Sequence, residues 1–289
     1  MQVGLHALGV GNGARPQIIR AVAEAAEARG FATLWAGEHV VMVDEPTSRY
    51  PYSADGRIAV PADADWLDPL LALTFAAAVT TRIRLATGVL LLPEHNPIVV
   101  AKQAATLDVL SGGRLTLGIG VGWSSEEFAA LGVPFAHRGR RTAEYTAAMR
   151  TLWSHDVASF EGEFTRFDAI RVNPKPVRDR QIPVVVGGNS DAALRRAAAF
   201  GNGWYGFNLP ADLVTERVRA LREHCASHHR PATELTIAVA PLDGGPDLLP
   251  DLAAAGVTEL VVIGAPPATP DAATAWVADL AHHWITPGP

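Results

Sequence analysis

Residues 81–127 read TRIRLATGVLLLPEHNPIVVAKQAATLDVLSGGRLTLGIGVGWSSEE, and their reading decides the fold. Apolar residues 83–87 predict a strand. Asn96-Pro97 then opens a helix, with Asn as N-cap and Pro in the first turn, where its missing N–H has no partner to lose. Gly112-Gly113 stops that helix. Residues 115–119 predict the next strand, and Gly118, Gly120 and Gly122 lead out of it into another helix. This is a strand–helix–strand unit of about thirty residues. Unusual loop chemistry follows both strand ends, which is where an α/β barrel builds its ligand site.

The same alternation runs in both directions. Upstream, residues 2–7 predict a strand, 16–29 a helix, 33–37 a strand and 66–80 a helix. Ile18, Ile19, Val22, Ala25 and Ala26 set the helical period in the first of these helices. Downstream come helices at 125–131 and 138–153 and a hairpin-bearing excursion over 158–176. Four further strand–helix units follow: 182–186 with 190–200, 203–207 with 211–227, 235–240 with 247–255, and 259–263 with 272–284. Eight units in strict alternation predict a (β/α)8 TIM barrel with insertions, as one domain over 1–289. The polar, Pro-rich segment 40–65 is too long for an idle connector and is expected to act as a lid or pocket wall.

Composition narrows the function. A net charge of −6 argues against a nucleic-acid partner, because an acidic surface gains nothing from phosphates. The N-terminus lacks a charged leader and an apolar h-region, and no apolar run reaches membrane-spanning length. A soluble cytoplasmic enzyme acting on a small molecule is expected. The single cysteine, Cys225, reads as a packing thiol on a helix.

The barrel rule selects His6, Glu38-His39, Gly88-Val89, Gly120–Trp123, Gly187–Ser190 and Trp204 as strand-end residues. A His beside a carboxylate serves either as an acid–base group near neutral pH or as a loop hydrogen-bonder. Gly88 reads as a close-approach point for a flat ligand or as a simple bulge. Gly120 and Gly122 lack the spacing of a dinucleotide fingerprint; they read as a side-chain-free wall. Gly187, Gly188, Asn189 and Ser190 lead into a helix, as a phosphate cradle or an ordinary turn. His224 and His228 have metal-binding spacing, but no nearby carboxylate completes the pattern, and Glu126-Glu127 reads as first-turn acids suiting the helix dipole. No metal site is expected.

Together LWAGEHV (34–40), RLATGVLLLP (84–93), AKQAATLDVLSGGRLTLGIGVGW (101–123), LGVPFAHRGRRTAEY (131–145) and VVVGGNSDAALRRAA (184–198) resemble the luciferase-like monooxygenase superfamily. The likeness runs over residues 2–204 and is greatest to the branch using the deazaflavin coenzyme F420. It implies a flat cofactor across the strand ends and a homodimer. It implies a non-proline cis peptide, which falls at Gly88–Val89. It also implies catalytic roles for His39 and Glu38, and cofactor contacts from Gly88, Val89, Gly120, Gly122, Trp123, Gly187, Gly188, Asn189 and Ser190.

The chain departs from the family's sugar-phosphate dehydrogenases at two positions: Trp123 replaces their catalytic Glu, and Val43 replaces a Trp beyond the His. Sugar oxidation is therefore not carried over. Trp123, Val41, Met42 and Val43 suggest an apolar pocket and a substrate with a reducible C=C or C=O bond. The resulting expectation is an F420-dependent oxidoreductase transferring hydride. Two alternatives stand beside it: an FMN-dependent monooxygenase using reduced flavin and oxygen, and a flavin- or F420-binding carrier or sensor without turnover.

Overall fold

The computed structural model describes residues 1–285. In chain order its elements are β1 (Gln2–Leu8), α1 (Pro16–Ala28), β2 (Thr33–Ala36), α2 (Pro69–Ala77), β3 (Arg84–Thr87), β4 (Leu90–Leu91), α3 (Pro97–Ser111), β5 (Leu115–Gly120), α4 (Ser125–Ala130), α5 (Arg138–Ser154), β6 (Ala158–Glu161), β7 (Arg166–Ile170), β8 (Val184–Gly187), α6 (Asp191–Phe200), β9 (Gly203–Leu209), α7 (Ala211–Ser227), β10 (Thr236–Pro241), α8 (Leu249–Ala255), β11 (Glu259–Ile263) and α9 (Pro270–Trp284). Strands β3, β2, β1, β11, β10, β9, β8 and β5 pair side by side, and β5 returns to β3 to close the barrel. All eight pairings are parallel. This is the TIM barrel the sequence predicted.

Alternation along each strand divides the apolar residues between two cores. Trp35, Ala86, Val185, Tyr205, Ala238, Ala240 and Val261 form one buried cluster, the barrel interior. Their chain neighbours Leu34, Leu85, Val186, Trp204, Val239 and Leu260 pack outward in a larger cluster with helix residues such as Ile18, Leu73, Ala104, Leu194 and Val277. Cys225 is buried in this outer core. Inside the barrel, Trp35 and Tyr205 stack at 4.7 Å. The Trp35 indole N–H donates to Glu259 at 3.0 Å, and Arg84 neutralises the other Glu259 oxygen at 2.8 Å.

The segment that decided the fold behaves as its residues dictate. The Asn96 side chain accepts from the Ile98 N–H at 2.9 Å, and Gly112 ends α3 at φ 69°, a left-handed conformation that favours glycine. The Gly88–Val89 peptide is cis, at the position the resemblance implied. The second helix is shorter than the predicted 66–80, because Asp68 caps it by accepting from the Leu71 N–H at 2.9 Å. Trp66 instead bridges to Val10 and donates its indole N–H to the Gly37 carbonyl at 3.1 Å. The 158–176 excursion forms the antiparallel hairpin β6–β7. Among the described residues, no helix is long and apolar enough to cross a membrane.

Candidate active site

A cavity of about 550 Å³ opens at the C-terminal ends of the strands. Its floor is the top of the barrel interior. His6 Nδ1 lies 3.1 Å from the Tyr205 hydroxyl, and Gly88 and Val89 flank them. Burial lowers His6 to about 4, so it is neutral at physiological pH. The wall is an almost continuous aromatic belt. Trp66 meets His39 edge-on at 4.9 Å, His39 meets Trp123 at 5.8 Å, Trp123 meets Tyr50 at 5.3 Å, Tyr50 meets Tyr52 at 5.3 Å, and Tyr52 meets Phe207 at 5.5 Å.

The segment after β2 roofs the cavity with Tyr50, Tyr52, Ile58, Val60 and Pro61. It is tied down by α4. Glu126 accepts from the Thr47 N–H at 2.7 Å, from the Thr47 hydroxyl and from the Ser48 N–H, which holds its carboxyl well below the usual range. Glu127 accepts from Val40 N–H at 2.7 Å and Val41 N–H at 3.2 Å. Within the segment after β2, the apolar lining therefore comes from residues 50–61. Val41, Met42 and Val43, expected to supply it, do not line the cavity.

Among the lining residues Glu38 is the sole carboxylate, and no Lys or Arg is present. The Glu38–His39 pair expected from the sequence is split. Glu38 turns inward, accepting from the Leu91 N–H at 2.6 Å and pairing with His95 at 3.0 Å. Burial alone would lower His95, but the Glu38 carboxylate outweighs it and holds the imidazole above its ordinary value. His39 turns the other way, with Nδ1 2.8 Å from Glu127 Oε2; the two side chains are 8% and 1% exposed. Adjacent residues thus belong to two separate acid–His pairs, because consecutive positions at a strand end point in opposite directions.

Near Tyr52, and not itself among the cavity-lining residues, lies Arg196 of α6. Its buried Nε has no partner among the described residues. Burial pulls the guanidinium below its ordinary range, and the nearby Arg138 lowers it further. Arg138 donates from Nε to the Gly122 carbonyl at 3.2 Å. Neither guanidinium has a carboxylate partner among the described residues, so the Arg196–Arg138 pair near Tyr52 attracts anions.

The sequence profile of the luciferase-like monooxygenase family matches residues 2–242. The chain belongs to that family. An uncharacterised protein of Mycobacterium tuberculosis (strain H37Rv) is 38% identical over 265 residues, 90% of this chain and 92% of the relative. Among solved structures, the F420-dependent tetrahydromethanopterin reductase of Methanopyrus kandleri superposes with a TM-score of 0.77 at 17% identity, covering 99% of this chain and 98% of that one. A monooxygenase from Streptomyces bottropensis gives 0.78 at 20% identity, covering 99% of each. At those identities the two structures share the fold with this chain.

Within this luciferase-like barrel the expected glycines have other neighbours than anticipated. Gly120 and Gly122 do not line the cavity. A Cβ on Gly120 would lie 2.6 Å from Val89 Cγ2, and one on Gly187 2.7 Å from Val89 Cγ1. These glycines make room for Val89, and it is Val89 that faces the cavity. Gly122 makes room for Glu94 and Phe128. Gly187 and Gly188 do line the cavity; Asn189 and Ser190 do not. Asn189 is spent on both backbone groups of Phe207, at 2.7 and 3.1 Å, and Ser190 caps α6 by accepting from the Ala193 N–H at 3.3 Å. Trp204, on the expected strand end, is fully buried and donates to the Gly188 carbonyl at 2.8 Å.

Four functional candidates escaped the sequence reading. Glu127 is a first-turn acid as read, and the helix cap Ser124 three residues before it signals that its side chain can turn back past the helix start, where it meets His39, Val40 and Val41. Glu94 and His95 lie in the loop after the third strand, where only Gly88-Val89 was singled out, and Arg196 lies in a helix. His224, read as lacking a carboxylate, pairs with Asp191 at 2.8 Å. Asp191 lies 33 positions away, and the contact exists because α6 and α7 pack together.

Proposed function

We propose that this protein is an oxidoreductase that binds coenzyme F420 and transfers a hydride between it and an uncharged, apolar organic molecule with a C=C or C=O bond. The observation that carries the reading is the aromatic cavity at the strand ends, with an imidazole inside it and the Arg196–Arg138 pair close to Tyr52 of its roof. The cavity volume suits a flat ring system and a small partner. The orphaned Arg196 Nε suits the phosphate that such a ring carries on its tail. When bound, a deazaflavin supplies or accepts a hydride. The chain's own part is to stack and orient the partners, to exclude water beneath Tyr50 and Tyr52, and to hold or release a proton at His39 Nε2. Glu38 stabilises the neighbouring strand end through Leu91 and His95.

The likeness to an F420-dependent reductase over nearly the whole chain supports the choice of F420. The family itself, and the likeness to a monooxygenase, favour a second reading: a monooxygenase using reduced FMN and oxygen. Titrating the purified protein with F420 and with FMN, followed by ring fluorescence, separates them. Saturable F420 binding is expected, followed by oxidation of reduced F420 with members of an enone, imine and quinone panel under nitrogen. Tight FMN binding without F420 binding would sink the first reading.

A further inference from the structure

Glu127 is a buried carboxylate that reaches His39 at the cavity wall. Its side chain is 1% exposed, and its two oxygens have different tasks. Oε1 accepts from the Val40 and Val41 N–H groups, fixed donors of the chain that enters the roof. Oε2 faces His39 Nδ1 at 2.8 Å. A carboxylate only accepts, so this contact requires the proton on Nδ1. The imidazole is further held between the edges of Trp66 and Trp123. Its Nε2 has no protein partner among the described residues, and His39 lines the cavity.

We propose that Glu127 is a positioning residue that locks His39 in the Nδ1–H tautomer, leaving the Nε2 lone pair directed at the substrate. Nε2 takes the proton of a substrate hydroxyl, or, once charged, returns it to a substrate oxygen. The imidazolium formed between those events is stabilised by Glu127, which itself never takes the proton. The acid–base step rests on the oxidoreductase reading above; the tautomer assignment does not.

The arrangement of donors makes Glu127→Gln diagnostic. The two backbone N–H groups demand an oxygen, so the Gln carbonyl stays with Val40 and Val41. Its NH2 is then forced toward His39 Nδ1, which must become the acceptor. The tautomer inverts, and Nε2 carries the hydrogen into the cavity. Glu126→Gln is the control: it weakens the neighbouring tie to Thr47 and Ser48 and leaves the dyad intact.

The test is ¹⁵N NMR of histidine-labelled, cofactor-free protein at a pH where His39 is neutral. Wild type and Glu126→Gln are expected to show a pyrrole-type Nδ1 and a pyridine-type Nε2 at His39, and Glu127→Gln the reverse. With cofactor and a turned-over substrate, Glu127→Gln should lose about 10²–10⁴-fold in kcat, the usual reach of one acid–base group, with KM little changed. A wild-type protein in the Nε2–H tautomer overturns the proposal, as does a folded Glu127→Gln that retains the Nδ1–H form. If Glu127→Gln does not fold, the wild-type spectrum decides alone. If the tautomers behave as stated and neither F420 nor FMN binds, the tautomer lock stands and the oxidoreductase reading falls. Equal kcat losses in Glu126→Gln and Glu127→Gln would reduce Glu127 to a loop tie.

Discussion

Glu94 packs its carboxyl group against Gly122 so closely that a Cβ on Gly122 would sit 2.8 Å from Glu94 Oε1. Both Glu94 oxygens are buried and have no partner among the described residues. Burial raises its pKa from 4.5 to about 9, with the Glu127 and Glu38 carboxylates adding to the effect. The folded chain therefore keeps a proton that the unfolded chain releases. Its contribution to stability is fully present below pH 4.5 and is lost as pH rises toward 9. Glu94→Gln, a neutral copy of the protonated acid, should match wild type in Tm near pH 4.5 and exceed it by a margin that widens as pH rises toward 9. Parallel melting curves across that range would refute the assignment.

Val89 and Gly120 test the packing under the cavity. Alanine at position 120 would place a methyl group 2.6 Å from Val89 Cγ2 and 3.3 Å from Leu91 Cδ2. Overpacking of this kind costs about 1–3 kcal/mol. The midpoint of denaturant unfolding should fall for Gly120→Ala and recover partly in Gly120→Ala/Val89→Ala, because removing the Val89 methyl groups restores the space. Additive losses in the double variant would show that some other contact of Gly120 is responsible.

Asn189 holds Phe207 by two hydrogen bonds to its backbone. Asn189→Ala leaves those groups without their partners and is expected to cost about 1–3 kcal/mol. Because Phe207 lines the cavity, the same change should speed hydrogen exchange at the Phe207 amide and weaken ring binding together. A loss of binding with unaltered exchange would instead assign Asn189 a direct ligand contact.

Arg196 separates tail recognition from ring recognition. Arg196→Met keeps the apolar stem and removes the charge. It should weaken F420 or FMN binding by about 10–100-fold, as expected for one charge-assisted anion contact. Binding of a phosphate-free ring, riboflavin or its 5-deaza analogue, should be unchanged. Equal weakening of both ligands would remove the anion from the argument.

The local chemistry of the chain was legible wherever neighbours in sequence are neighbours in space. Asn96 and Gly112 mark the ends of α3 as read, and Gly88 sits beside a cavity at a strand end as read. The reading erred where a side chain's partner is remote. His39 and Glu127 are 88 positions apart, so adjacency made Glu38 the apparent partner. Gly120 and Gly122 were legible as places without side chains, yet what fills the space, Val89 and Glu94, comes from another strand end and a following turn. The second helix was overextended because the apolar pattern runs through Trp66, whose indole N–H is claimed by Gly37.

By itself the sequence determined the eight-unit barrel and the end of the barrel at which a site could form. Strand and helix periods, caps and glycine stops act over a few residues and are written in order along the chain. Only the tertiary structure decided which carboxylate faces which imidazole, which residues make the aromatic belt, and where Arg196 is left without a counter-charge among the described residues. Closing the barrel brings strand ends from distant parts of the chain within hydrogen-bonding distance, and direction and burial, which linear order does not encode, then select the partners.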